Sequence, residues 1–394
     1  GNNRTRSGLY RYFKPAYDGL EYETMIFIDE FGRSIIETPK TPVRSVNGDW
    51  IEIGAREFLE NERDALRDDT HAYAEFVRQF PFTPEEAFRV EVGNCSFDPE
   101  LLYQQREWND LYAGKLISRG NFVWKDGQFG GDVEFKHSRL GRWSVAWVPD
   151  EADQNARVYR LGKIFPGNMD MIVSGCDPYD HSTTTDGRKS DGAAYTFKMY
   201  NPADEKNSYI FTSEYINRPK TVFEFYEDIL KQSIFYGCQV LCENNRIGLI
   251  NWFIEHGFEN YLMKRPEVTH TSSSKSQRTP GIPTSGEAVR DSLVSSSEAY
   301  VVACCGYNYE TGEGGTVYFN KLVDDWLVFD ANDWQKYDAT VAAGLTLLAS
   351  RKVIQKPEQI NLGMQLVRRY NNSGSRSTII NPNDQKGLPV RIRE

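Results

Sequence analysis

No stretch of this chain approaches the roughly 20 consecutive apolar residues that a membrane-spanning helix needs, so a helical anchor is excluded within it. A GxxxxGK[ST] phosphate loop is also missing, which excludes a self-contained P-loop ATPase in these residues. The six cysteines, Cys95, Cys176, Cys238, Cys242, Cys304 and Cys305, include no CxxC pair and no spacing suited to structural zinc. Small buried thiols in a reducing compartment are the expectation. Positive charge is not in excess: 46 Lys and Arg stand against 56 Asp and Glu, a net charge of −10, which excludes a small basic module whose whole surface attracts phosphate. There is no internal repeat, and the opening GNNRTRSGLYRYF has no signal-peptide core, so the reading is a soluble, intracellular protein.

What is present can build a large core. An apolar fraction of 39%, with 22 Tyr, 22 Phe and 8 Trp, rules out wholesale disorder. At 394 residues the chain exceeds the roughly 250–300 residues that one core serves, so two domains, or one domain with an extension, are expected. Charge is uneven: Arg351 to Glu394 carries nine Lys/Arg and only three Asp/Glu, a basic end that is either a solubilising tail or a binding arm.

The first 90 residues read as Pro-punctuated, irregular structure with a polar helical run near Ala55 to Phe80, too broken for a separate core and suited to covering the edge of another domain. Within them MIFIDE, Met25 to Glu30, has the outline of a Walker B strand, though without a phosphate loop a short strand feeding a turn at Phe31 and Gly32 accounts for it. Regular patterning begins at Asp170. DMIVSGCD, GAAYTFKMYN and SYIFTSEYI read as three strands. TVFEFYEDILKQSIFYG has helical spacing with Phe223, Tyr226, Ile229 and Leu230 on one face. QVLCEN follows as a buried strand and IGLINWFIEHGF as a helix closed by Gly257, an α/β layout. A polar segment, THTSSSKSQRTPGIPTSG, precedes a helix for which Ser285 is a candidate N-cap; YNYETGEGGTVYFN reads as a hairpin and DATVAAGLTLLASRK as a closing helix.

Acids stand where two strands end. Open α/β sheets present the carboxyl ends of their strands to the crevice in which ligands bind, and Asp177 and Glu243 occupy that place after MIVSGC and QVLC. Asp338 opens the closing helix, whose Ala and Gly residues allow close approach to a sheet. Each acid has an ordinary explanation alone: a turn residue before Pro178, a surface acid, a helix N-cap. Together, three carboxylates repel unless cations neutralise them, and hard oxygen ligands without a His or Cys cluster favour Mg²⁺ or Mn²⁺ over zinc. Two such ions about 4 Å apart suit in-line phosphoryl displacement.

The ordered set SGCDPYD…DGRKSDGAA, CENNRIG, KSQRTPGIPTS and KYDATVAAG resembles the nuclease domain of the large terminase subunit of tailed bacteriophages. LYRYFKPAYDG, FIDEFGRS and FPFTPEEAFRVEVGNCSFD resemble the stretch that in that family leads from the ATPase into the nuclease. The resemblance implies a fold class: α/β, a ribonuclease H-like mixed sheet flanked by helices, with an irregular N-terminal extension. Its implied divisions are residues 1–92 as the end of the ATPase region and linker, 93–360 as the nuclease, and 361–394 as a basic tail. It implies Asp177, Glu243 and Asp338 as catalytic metal ligands for two Mg²⁺ or Mn²⁺ ions, with Asp191 as a supporting ligand or else a turn acid, and Asp180 as a weaker candidate. The implied activity is cleavage of concatemeric double-stranded viral DNA in the host cell cytoplasm, alongside a terminase ATPase domain, a small terminase subunit and a portal protein, with no ATP site in this chain.

Sequence-indifferent cutting requires phosphate contacts. Arg188, Lys189, Arg246, Lys275 and Arg278 are the candidates for holding DNA, each also readable as a solvated surface cation, and Arg368, Arg369, Arg376, Arg391 and Arg393 in the tail suit DNA or the portal. Other readings stay open: another ribonuclease H-like nuclease such as a resolvase or transposase, a non-catalytic docking module for portal or motor partners, or an ATPase fragment resting on MIFIDE.

Overall fold

In the computed structural model the described residues are 12–87, 89, 95–160, 162–179, 191–202, 204, 207–266, 279–308 and 311–351. Helices α1 (Ala55–Ala65) and α2 (Thr70–Gln79) replace the single helical run expected between Ala55 and Phe80. They are separate because Asp69 turns the chain and accepts a hydrogen bond from Ala72 N, capping the second helix. Contrary to the sequence expectation, this N-terminal part has a small core of its own, in which Leu20, Phe27, Ile51, Phe58 and Leu59 bury one another. Two two-residue strand pairings and two isolated bridges suffice to position these side chains, so their spacing shows no regular period. Ala74 of α2 is buried in the main core instead, tying the extension to the rest.

MIFIDE is a short strand at Met25–Ile26 that runs into a turn, as the plainer reading had it. Asp29 accepts hydrogen bonds from Phe31 N at 2.9 Å, Arg33 N at 2.8 Å and Arg33 Nε at 3.1 Å, and Gly32 takes φ +78°, a value that favours glycine. The Asp29 carboxylate is a turn-former.

Between residues 95 and 166 lie elements that no sequence-based expectation covered. Helix α3 (Pro99–Tyr112) starts at Asp98, whose side chain accepts from Glu100 N and Leu101 N, with Pro99 in the first turn. Strands β1 (Ser118–Trp124), β2 (Val133–His137) and β3 (Trp143–Val145) follow. The strands expected from Asp170 onward are β4 (Ile172–Asp177), β5 (Gly192–Lys198), β6 (Ile210–Asn217) and, after helix α4 (Val222–Tyr236), β7 (Gln239–Cys242). Helices α5 (Gly248–Glu255), α6 (Glu287–Cys304), α7 (Asn320–Leu327) and α8 (Asp338–Ser350) complete the order.

The seven strands form one mixed sheet in the order β7-β4-β5-β6-β3-β1-β2, antiparallel throughout except that β7 runs parallel to β4. Helices cover both faces. Alternation along the strands divides the side chains: Val173, Ala193, Tyr195 and Phe197 face the core built with α3, α6, α7 and α8, whereas Ile172, Cys176 and Ala194 face the core built with α4 and α5. Burial on both sides explains why β5 reads as an unbroken buried run in place of a polar and apolar alternation. Helix α8 is the most enclosed helix, with every residue from Ala339 to Ser350 buried. It can lie so close because Gly175 faces it: a Cβ there would stand 2.3 Å from Thr346 N and 2.7 Å from Ala342 O.

Two local expectations change. On α4 Tyr226, Ile229 and Leu230 are buried as the spacing suggested, but Val222 and Phe225 complete the buried stripe in place of Phe223, which is exposed. At α6 the N-cap position is Gly286 and has no side-chain cap; the Ser285 carbonyl accepts from Arg290 Nη2 at 3.3 Å. The expected hairpin is a minimal one, Tyr307–Asn308 paired with Glu313–Gly314. The described cysteines are all free thiols, four buried and two partly so, in keeping with the sequence reading. Among the described residues no helix is long and apolar enough to cross a membrane.

Candidate functional site: an acid cluster at the parallel strand ends

Parallel pairing aligns carboxyl ends, and here it does so for the two strands that finish on acids. The register sets Cys176 beside Cys242, so the next residues, Asp177 and Glu243, leave the sheet side by side. Glu243 N donates to Cys176 O at 3.0 Å, continuing the ladder to the acid itself. The Glu243 side chain is buried, and buried carboxylates need partners. Its Oε1 accepts from Asn245 Nδ2 at 3.0 Å and from Thr284 Oγ1.

Thr284 arrives on a segment with no regular structure of its own. Ile282 N donates to Cys242 O at 2.9 Å and Asn244 N donates to Ile282 O at 3.1 Å, so the chain from Pro280 runs parallel beside the end of β7. Gly281 makes this possible: it adopts φ +77°, and a Cβ would approach Cys242 O to 2.6 Å.

Asp338 is the first residue of α8, with Tyr337 in the N-cap position and no side-chain cap there, so capping does not explain it. Its Oδ2 accepts from Asp191 N at 3.1 Å, which brings the start of β5 to the same place. The helix start is held from outside by Asp325 of α7, whose Oδ2 accepts from Thr340 N and Thr340 Oγ1, both at 2.8 Å. Burial pushes the Asp325 carboxyl up to about 6, with Asp338 adding to the effect.

These acids lie within electrostatic range of one another. Asp177 is pushed well above the ordinary carboxylate range, first by burial, then by the neighbouring Glu243 and Asp338 charges and by a hydrogen bond with Glu243. Arg246 opposes this in part; its Nη1 donates to Pro178 O at 3.4 Å, next to Asp177. Behind them the Cys176 thiol is pushed up by burial and by Cys242.

Asp177, Glu243, Asp338 and the Asp191 backbone are therefore brought together, with Arg246 beside them. Asp180, Arg188, Lys189, Lys275 and Arg278 lie outside the described residues, as do Arg368, Arg369, Arg376, Arg391 and Arg393. Thr284, Asn245 and Asp325 were not singled out from the sequence. Asn245 sits in the noted CENNRIG, whereas nothing in sequence spacing marks Thr284 or Asp325.

Crowded carboxylates can be relieved by a proton or by a hard divalent cation, and an all-oxygen donor set matches Mg²⁺ or Mn²⁺ in kind. In arrangement, no three His, Cys, Asp or Glu side chains among the described residues stand poised around one ion position. No family model matches the chain, and no curated protein matches it.

Proposed function

We propose that this acid cluster is the centre of a metal-dependent endonuclease with a ribonuclease H-like fold, acting on double-stranded DNA as the nuclease part of a tailed-phage terminase large subunit. The observation that carries the reading is the Cys176 to Cys242 register, which sets two acids from distant parts of the chain side by side with Asp338 in electrostatic range. The sheet supports it as well: three consecutive antiparallel strands, then a fourth that returns parallel to the first after a helix, leaving the acids at their common end. The order of motifs noted in the sequence supplies the terminase part of the proposal, including work in the host cytoplasm with an ATPase domain, a small subunit and a portal.

Asp177, Glu243 and Asp338 would hold the cations, with Asp191 at the margin. Cations held there would supply Lewis-acid stabilisation of charge on a phosphodiester and would ease deprotonation of a water. The chain's own residues do the rest. Thr284 and Asn245 fix the orientation of Glu243, Asp325 anchors the helix start that carries Asp338, and Arg246 sets a guanidinium beside Asp177, where a phosphate oxygen can be met.

The test is incubation with supercoiled plasmid in Mg²⁺, Mn²⁺ or EDTA, with Asp177→Ala in parallel. Nicking and linearisation that require metal and disappear in the variant are expected. A folded chain that cuts in neither metal would overturn the nuclease reading in favour of a docking module.

A further inference from the structure

We infer that the cavity between α6, the short helical turn Ala331–Lys336 and the start of α8 is a binding site for an uncharged, planar, aminated heterocycle of the nucleobase class. The inference does not rest on the nuclease reading, because none of its residues belongs to the acid cluster. The cavity has a volume of about 310 Å³. That is the lower end of the roughly 300–1,000 Å³ of small-molecule sites, so it suits one ring system and not a run of nucleotides. Its walls are apolar and aromatic, formed by Leu293 and Val294 of α6, Val341 of α8, and the rings of Phe329 and Trp334. Phe329 is already stacked on Phe97, with ring centroids 5.2 Å apart. Half-buried Trp334 has no aromatic partner among the described residues; the Arg290 guanidinium approaches it, 5.7 Å from the ring centroid.

Two polar groups at this cavity lack protein partners. Ser297 is fully buried and its hydroxyl makes no hydrogen bond, whereas Ser292, Ser295 and Ser296 on the same helix each turn theirs onto a helix carbonyl. Arg290 Nε is likewise buried without an acceptor, and the guanidinium donates only to Ser285 O, through Nη2 at 3.3 Å. Buried polar groups are nearly always paired, so two on one cavity point to a ligand that completes them. Their chemistry says which kind. Arg290 Nε can only donate, Ser297 Oγ donates and accepts, and the Glu287 and Asp291 carboxylates on the lining accept. The matching ligand carries both acceptors and N–H donors on a flat apolar ring, as an aminated base does. Two carboxylates against one guanidinium leave the lining with a negative balance, which disfavours a phosphate within the cavity itself.

The test is calorimetric titration of the intact chain, in EDTA, with adenosine and separately with a short single-stranded oligodeoxyadenylate. Ser297→Ala removes a hydroxyl that has no partner in the protein, so its urea midpoint should equal or exceed that of wild type. The same variant should bind adenosine about 2–12-fold more weakly, the factor that loss of one neutral hydrogen bond gives. Trp334→Leu removes the stacking face and should weaken adenosine by roughly 5–150-fold. The two probes separate the sources of the ring. Tighter binding of the oligonucleotide than of adenosine, lost in Trp334→Leu, assigns the cavity to a base of a DNA strand; tighter binding of adenosine assigns it to a free nucleoside. Failure of folded wild type to bind either probe at millimolar concentration, or wild-type affinity in both variants, would overturn the inference. If Trp334→Leu does not fold, as judged by its thermal melt, Ser297→Ala decides alone.

Discussion

Replacing Gly175 by alanine puts a methyl group where β4 and α8 touch. The added carbon would stand 2.3 Å from Thr346 N, 2.4 Å from Thr346 Oγ1 and 2.7 Å from Ala342 O, and two of these atoms belong to helix backbone. Ordinary contact needs about 3.5 Å or more, so α8 has to retreat by roughly an ångström. Overpacking of a tight core costs about 1–3 kcal/mol, occasionally more, against which the lower freedom of the unfolded alanine chain returns only about 0.4–1 kcal/mol. A net loss of ~2 kcal/mol is expected, read in urea as a lower midpoint with an unchanged slope. Gly344→Ala is the internal comparison. Gly344 lies within α8, where the nearest atom to an added Cβ is Leu293 Cβ at 3.2 Å, so helix propensity and mild crowding roughly cancel. Because α8 carries Asp338, the retreat also separates the acids, and the metal-dependent cutting proposed above should fall more than stability alone accounts for. Equal midpoints for Gly175→Ala and wild type would refute the claim that glycine at this position sets the helix-to-sheet distance.

Glu214 offers a pH test independent of the site. It is buried, accepts from Tyr195 Oη at 2.9 Å, and burial pushes its carboxyl up to about 7 from an ordinary 4.5. Below the lower value it is neutral folded and unfolded; between the two, the unfolded state alone ionises, so stability falls as pH rises, and above about 7 the loss is complete at about 3 kcal/mol. Glu214→Gln should be close to neutral in urea melts near pH 4.5 and more stable than wild type by up to that amount at pH 8; a constant difference across this range would contradict it. Asp228, buried on α4, is held by Arg142 Nε at 2.6 Å and Nη2 at 2.8 Å and by Tyr215 Oη at 3.2 Å. Arg142→Met strands that carboxylate and should cost about 3 kcal/mol at neutral pH, with Asp228→Asn in the same chain recovering part of it.

Legibility in the sequence followed periodicity and failed where long-range contacts set the structure. The run from Asp170 to Gly257 was readable because buried strands and helices there have clean lengths and real punctuation, such as Gly237 at φ +60° closing α4. Strand β1, SRGNFVW, was not assigned: it mixes exposed, intermediate and buried positions near the edge of the sheet and shows no steady alternation. Helix α3 did carry a signal, Asp98 before Pro99, which went unassigned because the polar QQREWND that follows weakens the apolar stripe. At the acids, placing Asp177 and Glu243 after strands needed only local pattern. Their adjacency needed the parallel register, and Thr284 needed a path of irregular chain laid beside β7 by two backbone hydrogen bonds, which has no imprint in spacing. Phe223 and Phe225 illustrate a smaller ambiguity, since two aromatics two apart on a helix cannot share a face and composition does not say which turns inward.

The position of β7 in the sheet also carries a statement about time. β4, β5 and β6 are joined by consecutive antiparallel pairings and can zip together early, whereas β7 reaches β4 only after α4 has packed across the sheet, and α8 arrives later still in the chain. Bringing Asp177, Glu243 and Asp338 together therefore requires two long-range closures, of β7 and of α8 onto β4. A ribosome-bound chain that has emerged only as far as Gly257 holds two of the acids and lacks the third, so the cluster is a property of the finished fold.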